Sequence, residues 1–151
     1  MEVTTHNLIN TYKEAEIFLA HLLKISQNFN SNKAVVVLLS GDLGAGKTSF
    51  VQGLARALGV IDSITSPTFV VEKIYPLASD QPFVKLVHID CYRLDSEADL
   101  KPLDIEDILA DKNNLVVVEW PEKVPNFWPP EALKVKFTFI NDTTRNISYG
   151  A

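Results

Sequence analysis

The stretch that decides the fold is Ala34-Val-Val-Val-Leu-Leu-Ser-Gly-Asp-Leu-Gly-Ala-Gly-Lys-Thr48. Its opening, Ala34 to Leu39, is apolar throughout, rich in β-branched residues and too short for a globular helix, which predicts a strand buried on both faces. Strands of that kind belong to parallel sheets covered by helices. Gly41 to Thr48 then matches the phosphate-loop pattern of glycine, four residues, glycine, lysine and serine or threonine. A helix-like stretch from Lys47 to Leu58, ending at Gly59, completes a unit of strand, glycine loop and helix. Small residues let successive backbone N–H groups curl around phosphate oxygens, and the helix N-terminus adds a favourable dipole. Three of the chain's six glycines, Gly41, Gly44 and Gly46, fall in this loop, which a plain surface turn does not account for. The candidate nucleotide contacts here are Asp42, Gly44, Ala45, Gly46, Lys47, Thr48 and Ser49. Lys47 is expected to reach the β and γ phosphates, and the Thr48 hydroxyl to bind Mg²⁺.

Working outward, Val84 to Asp90 and Leu115 to Glu119 read as two more strands, each ending in a carboxylate, with their ends expected side by side. Thr11 to Gln27 reads as a helix: Thr11 and Glu14 have capping-box spacing, and Ile17, Phe18, His21, Leu22 and Ile25 recur at helical intervals. Asn28 to Lys33 is a polar break. Ser96 to Ala110 carries Leu100, Leu103, Ile108 and Leu109 at helical spacing, and because Pro102 is best tolerated in a first turn the helix is placed from about Lys101. A strand is expected from Thr68 to Ile74. Leu133 to Phe139 alternates in period two, and Asn141 to Thr144 is a turn leading to a returning strand from Arg145 to Tyr149. The expected fold is α/β, a phosphate-loop NTPase-like and mainly parallel sheet flanked by helices, with a C-terminal antiparallel hairpin. A single domain over residues 1–151 is expected, without repeats, linkers or low-complexity tracts.

Composition sets the class. Hydrophobic residues make up 46% of the 151 residues and charged residues 22%, enough apolar surface for a sizeable core. The longest purely apolar run, Ala34 to Leu39, is far short of a membrane span, and the N-terminus has neither a basic region nor a hydrophobic signal core. With one cysteine, Cys91, no internal disulfide can form, and a cytoplasmic location without membrane attachment is expected. A net charge of −5 argues against broad binding to a nucleic acid backbone. If RNA matters, a partner holds it.

A phosphate loop serves kinases, GTPases and regulatory ATPases alike. The Asn-Lys pair at Asn32-Lys33 precedes the loop and is followed by Ala34 and Val35, so a guanine-reading Asn-Lys-x-Asp motif is absent. With three arginines, Arg56, Arg93 and Arg145, a small-molecule kinase with a cationic lid is poorly supported. Four motifs then narrow the choice: GDLGAGKTSF (41–50), SPTF (66–69), HIDCYRL (88–94) and VVVEWPEK (116–123). Together and in this order they resemble the TsaE family, also called YjeE, over most of the chain. The resemblance implies a bacterial-type, slowly hydrolysing Mg²⁺-dependent ATPase with ATP and ADP as ligands. It implies a role in forming N6-threonylcarbamoyladenosine at tRNA position 37, in partnership with TsaD and TsaB, with tRNA met only through that assembly. Two alternatives stay open: a nucleotide-dependent binding module with incidental hydrolysis, and, third, a small-molecule kinase. Two departures are visible. Ser49 stands where the family often has a second threonine, and Asp104 where it often has glycine, a change expected to alter the local backbone.

Ligands of parallel sheets gather outside the carboxyl ends of strands. Lys47, Asp90 and Glu119 are therefore the candidate catalytic residues. Glu119 is assigned to the metal shell and Asp90 to the metal or its water, alongside Thr48. Thr68 has the spacing of a switch threonine that senses the γ-phosphate. Trp120, next to Glu119, is expected near the site, in contact with nucleotide or partner or packed in the core. Arg93 is read as an ion-pair partner of the acids around it, with phosphate stabilisation as the alternative. Asp90 to Asp111, with eight acids against Arg93 and Lys101, is read as a solvated face that can also meet a basic partner. His6, His21, His88 and Cys91 are read as structural.

Overall fold

The computed structural model describes residues 1–26, 32–61 and 71–150. In chain order the elements are β1 (Glu2–Thr5), α1 (Leu8–Ser26), β2 (Val35–Gly41), α2 (Lys47–Ala57), β3 (Glu72–Pro76), β4 (Lys85–Asp90), a 3-10 segment (Glu97–Leu103), α3 (Ile105–Ala110), β5 (Asn114–Glu119), a 3-10 turn (Pro121–Lys123), β6 (Leu133–Phe139) and β7 (Arg145–Tyr149). Among the described residues the strands form one seven-stranded sheet in the order β1-β7-β6-β2-β5-β4-β3. The central strands β6, β2, β5 and β4 are parallel. On one side β7 pairs antiparallel with β6 and β1 antiparallel with β7, and on the other β3 pairs antiparallel with β4. The α/β sheet expected from Ala34 to Leu39 is therefore present, with the C-terminal hairpin over the residues that alternate in period two.

Period-two alternation sends side chains to two different cores. Val37 and Leu39 of β2, Leu86 of β4, Leu115 and Val117 of β5, and Val135 and Phe137 of β6 pack beneath α1 and α2, where Phe18, Leu22, Phe50 and Leu54 are fully buried. Val36, Leu38, Val87, Ile89, Val116 and Val118 face the other way, against Leu94, Leu100, Ile105, Val124 and Trp128. The helices α1 and α2 meet closely because Gly53 has no side chain: a Cβ there would lie 2.7 Å from the Ala15 Cβ. Aromatic pairs then tie α1 and α2 to the sheet, with ring centroids of Phe18 and Phe50 5.4 Å apart and those of Phe50 and Phe137 5.3 Å apart.

Four local expectations need correction. α1 starts at Leu8, three residues before Thr11, because the Asn7 side chain accepts the Asn10 N–H at 2.8 Å and caps the helix. Thr11 and Glu14 are instead buried inside it, Thr11 bonded to the Thr5 hydroxyl at 3.1 Å and Glu14 accepting the Tyr149 hydroxyl at 2.7 Å. The buried stripe is Thr11, Glu14, Ala15, Phe18, Leu19 and Leu22, which leaves Ile17 exposed. Between Glu97 and Ala110 the chain forms a 3-10 segment containing Pro102 and then the short α3, not one helix. The break is Asp104, which adopts left-handed geometry (φ 53, ψ 37) at the junction. The altered backbone expected from aspartate at 104 is thus a conformation that glycine would take without a Cβ penalty. β1 was not expected at all. The Thr68 to Ile74 strand is seen from Glu72, and runs on to Pro76; residues 62–70, including Thr68, and 27–31 lie outside the described residues.

Candidate functional site

The carboxyl ends of β2, β4 and β5 converge on an open cleft of about 400 Å³. Its floor is the loop between β2 and α2, in which Gly44 (φ 78) and Gly46 (φ 98) take backbone angles that a side chain disfavours. Gly44, Ala45, Gly46, Lys47, Thr48 and Ser49 all line the cleft. Asp42 sits at the loop's start, and its carbonyl accepts the Ala45 N–H at 3.1 Å. The loop leads straight into α2, whose first residue is Lys47, so first-turn N–H groups lie at the cleft floor.

Lys47 is 5% exposed. Its ammonium donates to the Gly41 carbonyl and, at 3.2 Å, to the Asp42 carbonyl, and rests 3.8 Å from the centroid of the Trp120 ring. Burial lowers its pKa, partly offset by the pull of Glu119, Glu122, Asp90 and Asp42. A cation held by neutral carbonyls and a ring, in a site that penalises its charge, is poised to bind an anion.

The opposite wall is a product of sheet register. Asp90 and Glu119 are direct partners in the β4/β5 pairing, and both are 3% exposed. Glu119 accepts the Thr48 hydroxyl at 2.9 Å through Oε1, linking the strand end to the first turn of α2. Asp90 accepts the Tyr92 N–H at 2.9 Å. A hydroxyl and two carboxylates are hard oxygen donors, the set that suits Mg²⁺ rather than a softer metal. Among the described residues no cluster of three or more His, Cys, Asp or Glu side chains forms a cage. Mg²⁺ does not call for one, since it retains waters and shares substrate phosphates.

Trp120 packs against the core, one of its two expected settings, and its ring also lines the cleft. Its ring supports Lys47, meets Tyr92 at a centroid distance of 5.0 Å and packs against the core on the far sheet face. It does so with a left-handed backbone (φ 58), rare for a bulky residue. Such strain persists where the surroundings over-determine it, and it turns the chain sharply after Glu119. Arg93 and Tyr92 line the same cleft. Cys91 is fully buried, and burial first, then the charges of Asp90 and Glu122, push its thiol up to about 12, in keeping with a structural role.

Two residues that the motifs do not mark belong to the site, one behind the cleft wall and one lining it. His88, structural by its sequence, is fully buried with Nε2 2.6 Å from Glu119 Oε2. Glu119 is thus held from both sides, by Thr48 and by His88. Nδ1 of His88 has no hydrogen-bond partner among the described residues, so its ring is fixed through Nε2 alone. The signal was present: His88 is two residues before Asp90, on the same face of the same strand. Arg145, at the start of β7, also lines the cleft, 101 residues from Gly44, whose carbonyl its Nη2 approaches at 3.5 Å. Nothing local in the sequence marks it.

Residues 13–147 match the family model for TsaE, described as a threonylcarbamoyl adenosine biosynthesis protein. The chain is 47% identical over 88 residues to the tRNA threonylcarbamoyladenosine biosynthesis protein TsaE of Streptomyces coelicolor, a match covering 58% of this chain and 57% of that protein. It is 33% identical over 138 residues to the TsaE of Rickettsia typhi, covering 91% of this chain and 88% of the relative. The crystal structure of YdiB from Bacillus subtilis superposes with a TM-score of 0.72 at 26% identity, over 99% of this chain and 83% of that one. The chain belongs to the TsaE family of tRNA threonylcarbamoyladenosine biosynthesis proteins.

Proposed function

We infer that this protein binds ATP and Mg²⁺ in the cleft and hydrolyses the nucleotide slowly, as an accessory subunit in forming N6-threonylcarbamoyladenosine on tRNA. The observation that carries the reading is the convergence on one cleft of a glycine loop, the buried Lys47 and the Thr48–Glu119 pair beside Asp90. Loop N–H groups and Lys47 would hold the phosphates. Thr48, with Glu119 and Asp90, would hold the metal directly or through water, and the metal would neutralise charge on the phosphoryl oxygens. Asp42, Ser49 and Trp120 complete the proposed contacts with the nucleotide. Glu119, steadied by Thr48 and His88, would keep a fixed position at the reacting end.

The output is proposed to be conformational, exerted in the cytoplasm on an assembly of TsaD and TsaB that carries the tRNA. On sequence grounds Thr68 is the proposed sensor of the γ-phosphate, so that ATP and ADP states would present different surfaces. Among the described residues no helix is long and apolar enough to cross a membrane. The test is reconstitution of tRNA modification with TsaD, TsaB and ATP, with and without this protein. Modification should require it and should be lost with Lys47→Ala. Equal modification without it would refute the role.

A further inference from the structure

Arg145 is the last arginine of the chain, and the fold delivers it from the C-terminal hairpin into the glycine loop. Its stem packs on Gly46 so closely that a Cβ at that position would collide with Arg145 Cδ and Nε. Its Nη2 makes one long contact, 3.5 Å, with the Gly44 carbonyl, and its Nε is buried with no hydrogen-bond partner. No carboxylate among the described residues pairs with it. The carboxylates of the cleft, Asp90 and Glu119, sit instead on the β4 and β5 ends with Thr48 and His88. A guanidinium offers five donors in a planar fork suited to phosphate, and here that fork is spent on one neutral carbonyl at the limit of hydrogen-bond length.

We propose that Arg145 is a second phosphate-binding cation of the cleft, exchanging its contact with the Gly44 carbonyl for phosphate oxygens of the bound nucleotide. This rests on the nucleotide reading above and adds to it a ligand from β7 that the loop motif does not contain. A guanidinium and a phosphate carry opposite charges and can pair through two parallel N–H bonds, whereas the present contact is one bond of 3.5 Å to an uncharged carbonyl, so the exchange is favourable. It also couples the hairpin to occupancy of the loop, since the residue that meets the phosphate begins β7.

The test is calorimetric titration of Mg²⁺ with ADP and with ATP into the parent protein, Arg145→Gln and Arg145→Lys, at low and high salt. Glutamine retains much of the stem packing and removes the charge; lysine keeps the charge and loses the fork. The expected result is about tenfold weaker binding of both nucleotides to Arg145→Gln at low salt, partial recovery in Arg145→Lys, and a smaller difference at high salt. Parent-like affinity in Arg145→Gln would overturn the proposal and leave the nucleotide reading intact. So would a loss that is independent of salt and equal in both variants, which would mark a residue that merely props the loop. If the parent protein itself binds neither nucleotide, the nucleotide reading falls and this inference falls with it.

Discussion

The two walls of the cleft are built in opposite ways. One is contiguous in sequence: from Gly41 to Thr48 the chain itself supplies the turn, the N–H groups and the lysine, and glycines with positive φ hold its shape. The other is assembled from the ends of β4 and β5, and exists only because parallel pairing sets Asp90 beside Glu119. The first wall therefore depends on local backbone geometry, the second on register. A one-residue slip of β4 or β5 would turn His88, Asp90 or Glu119 to the opposite face of the sheet.

The division predicts different failures in the two walls. Lys47→Ala should weaken MgATP binding by about 100-fold or more, because the buried ammonium supplies the loop's charge and no other side chain of the loop replaces it. Calorimetry at constant ionic strength measures it; a loss below about threefold would break the assignment of the loop as the binding wall. On the register wall, Glu119→Gln and Asp90→Asn should slow hydrolysis by about 100-fold while changing nucleotide affinity much less, since they organise a metal and its waters. Single-turnover rates and melting curves separate that effect from misfolding. Equal damage to binding and rate would erase the distinction between the walls.

His88 sharpens the comparison at smaller scale. His88→Ala leaves Glu119 Oε2 without the bond that fixes it, and should slow hydrolysis by about tenfold and cost about 1–3 kcal/mol of stability. His88→Gln, which can offer an N–H near the same place, should restore much of the rate. If alanine and glutamine variants are alike in rate, His88 does not position Glu119. The smallest effect lies outside both walls. Asp104→Gly removes a Cβ from a left-handed position and should raise stability by about 1 kcal/mol without altering hydrolysis, as read by thermal denaturation.

How much of the molecule could be read in advance follows the same division. The strand from Ala34 to Leu39, the loop and α2 were legible because they are local: an apolar run, a fixed glycine spacing and a helix start. Asp90 and Glu119 were legible because a strand rule places carboxyl ends together. His88 was legible only as far as the strand face it shares with Asp90, since a lone histidine in an apolar strand looks the same whether it meets solvent, core or a carboxylate. Arg145 was not, because only the sheet order β7-β6-β2 carries it to the loop. β1 is four residues of mixed polarity that gain meaning by pairing with β7 at the chain's far end. The helix start was misplaced because Thr11 and Glu14 imitate a capping box while serving as buried partners of Thr5 and Tyr149. Asp104 breaks the segment between Glu97 and Ala110 through its backbone angle, which helical spacing of leucines does not reveal.

The account rests on the cleft being a single Mg²⁺-nucleotide site to which both walls contribute. The most direct measurement is calorimetry of the parent protein with ATP and with ADP, each with and without Mg²⁺. The account predicts one nucleotide per chain in both cases and tighter binding with the metal, more so for ATP than for ADP because of the added phosphate. Absence of binding at millimolar nucleotide, or affinity for ATP indifferent to Mg²⁺, would contradict it.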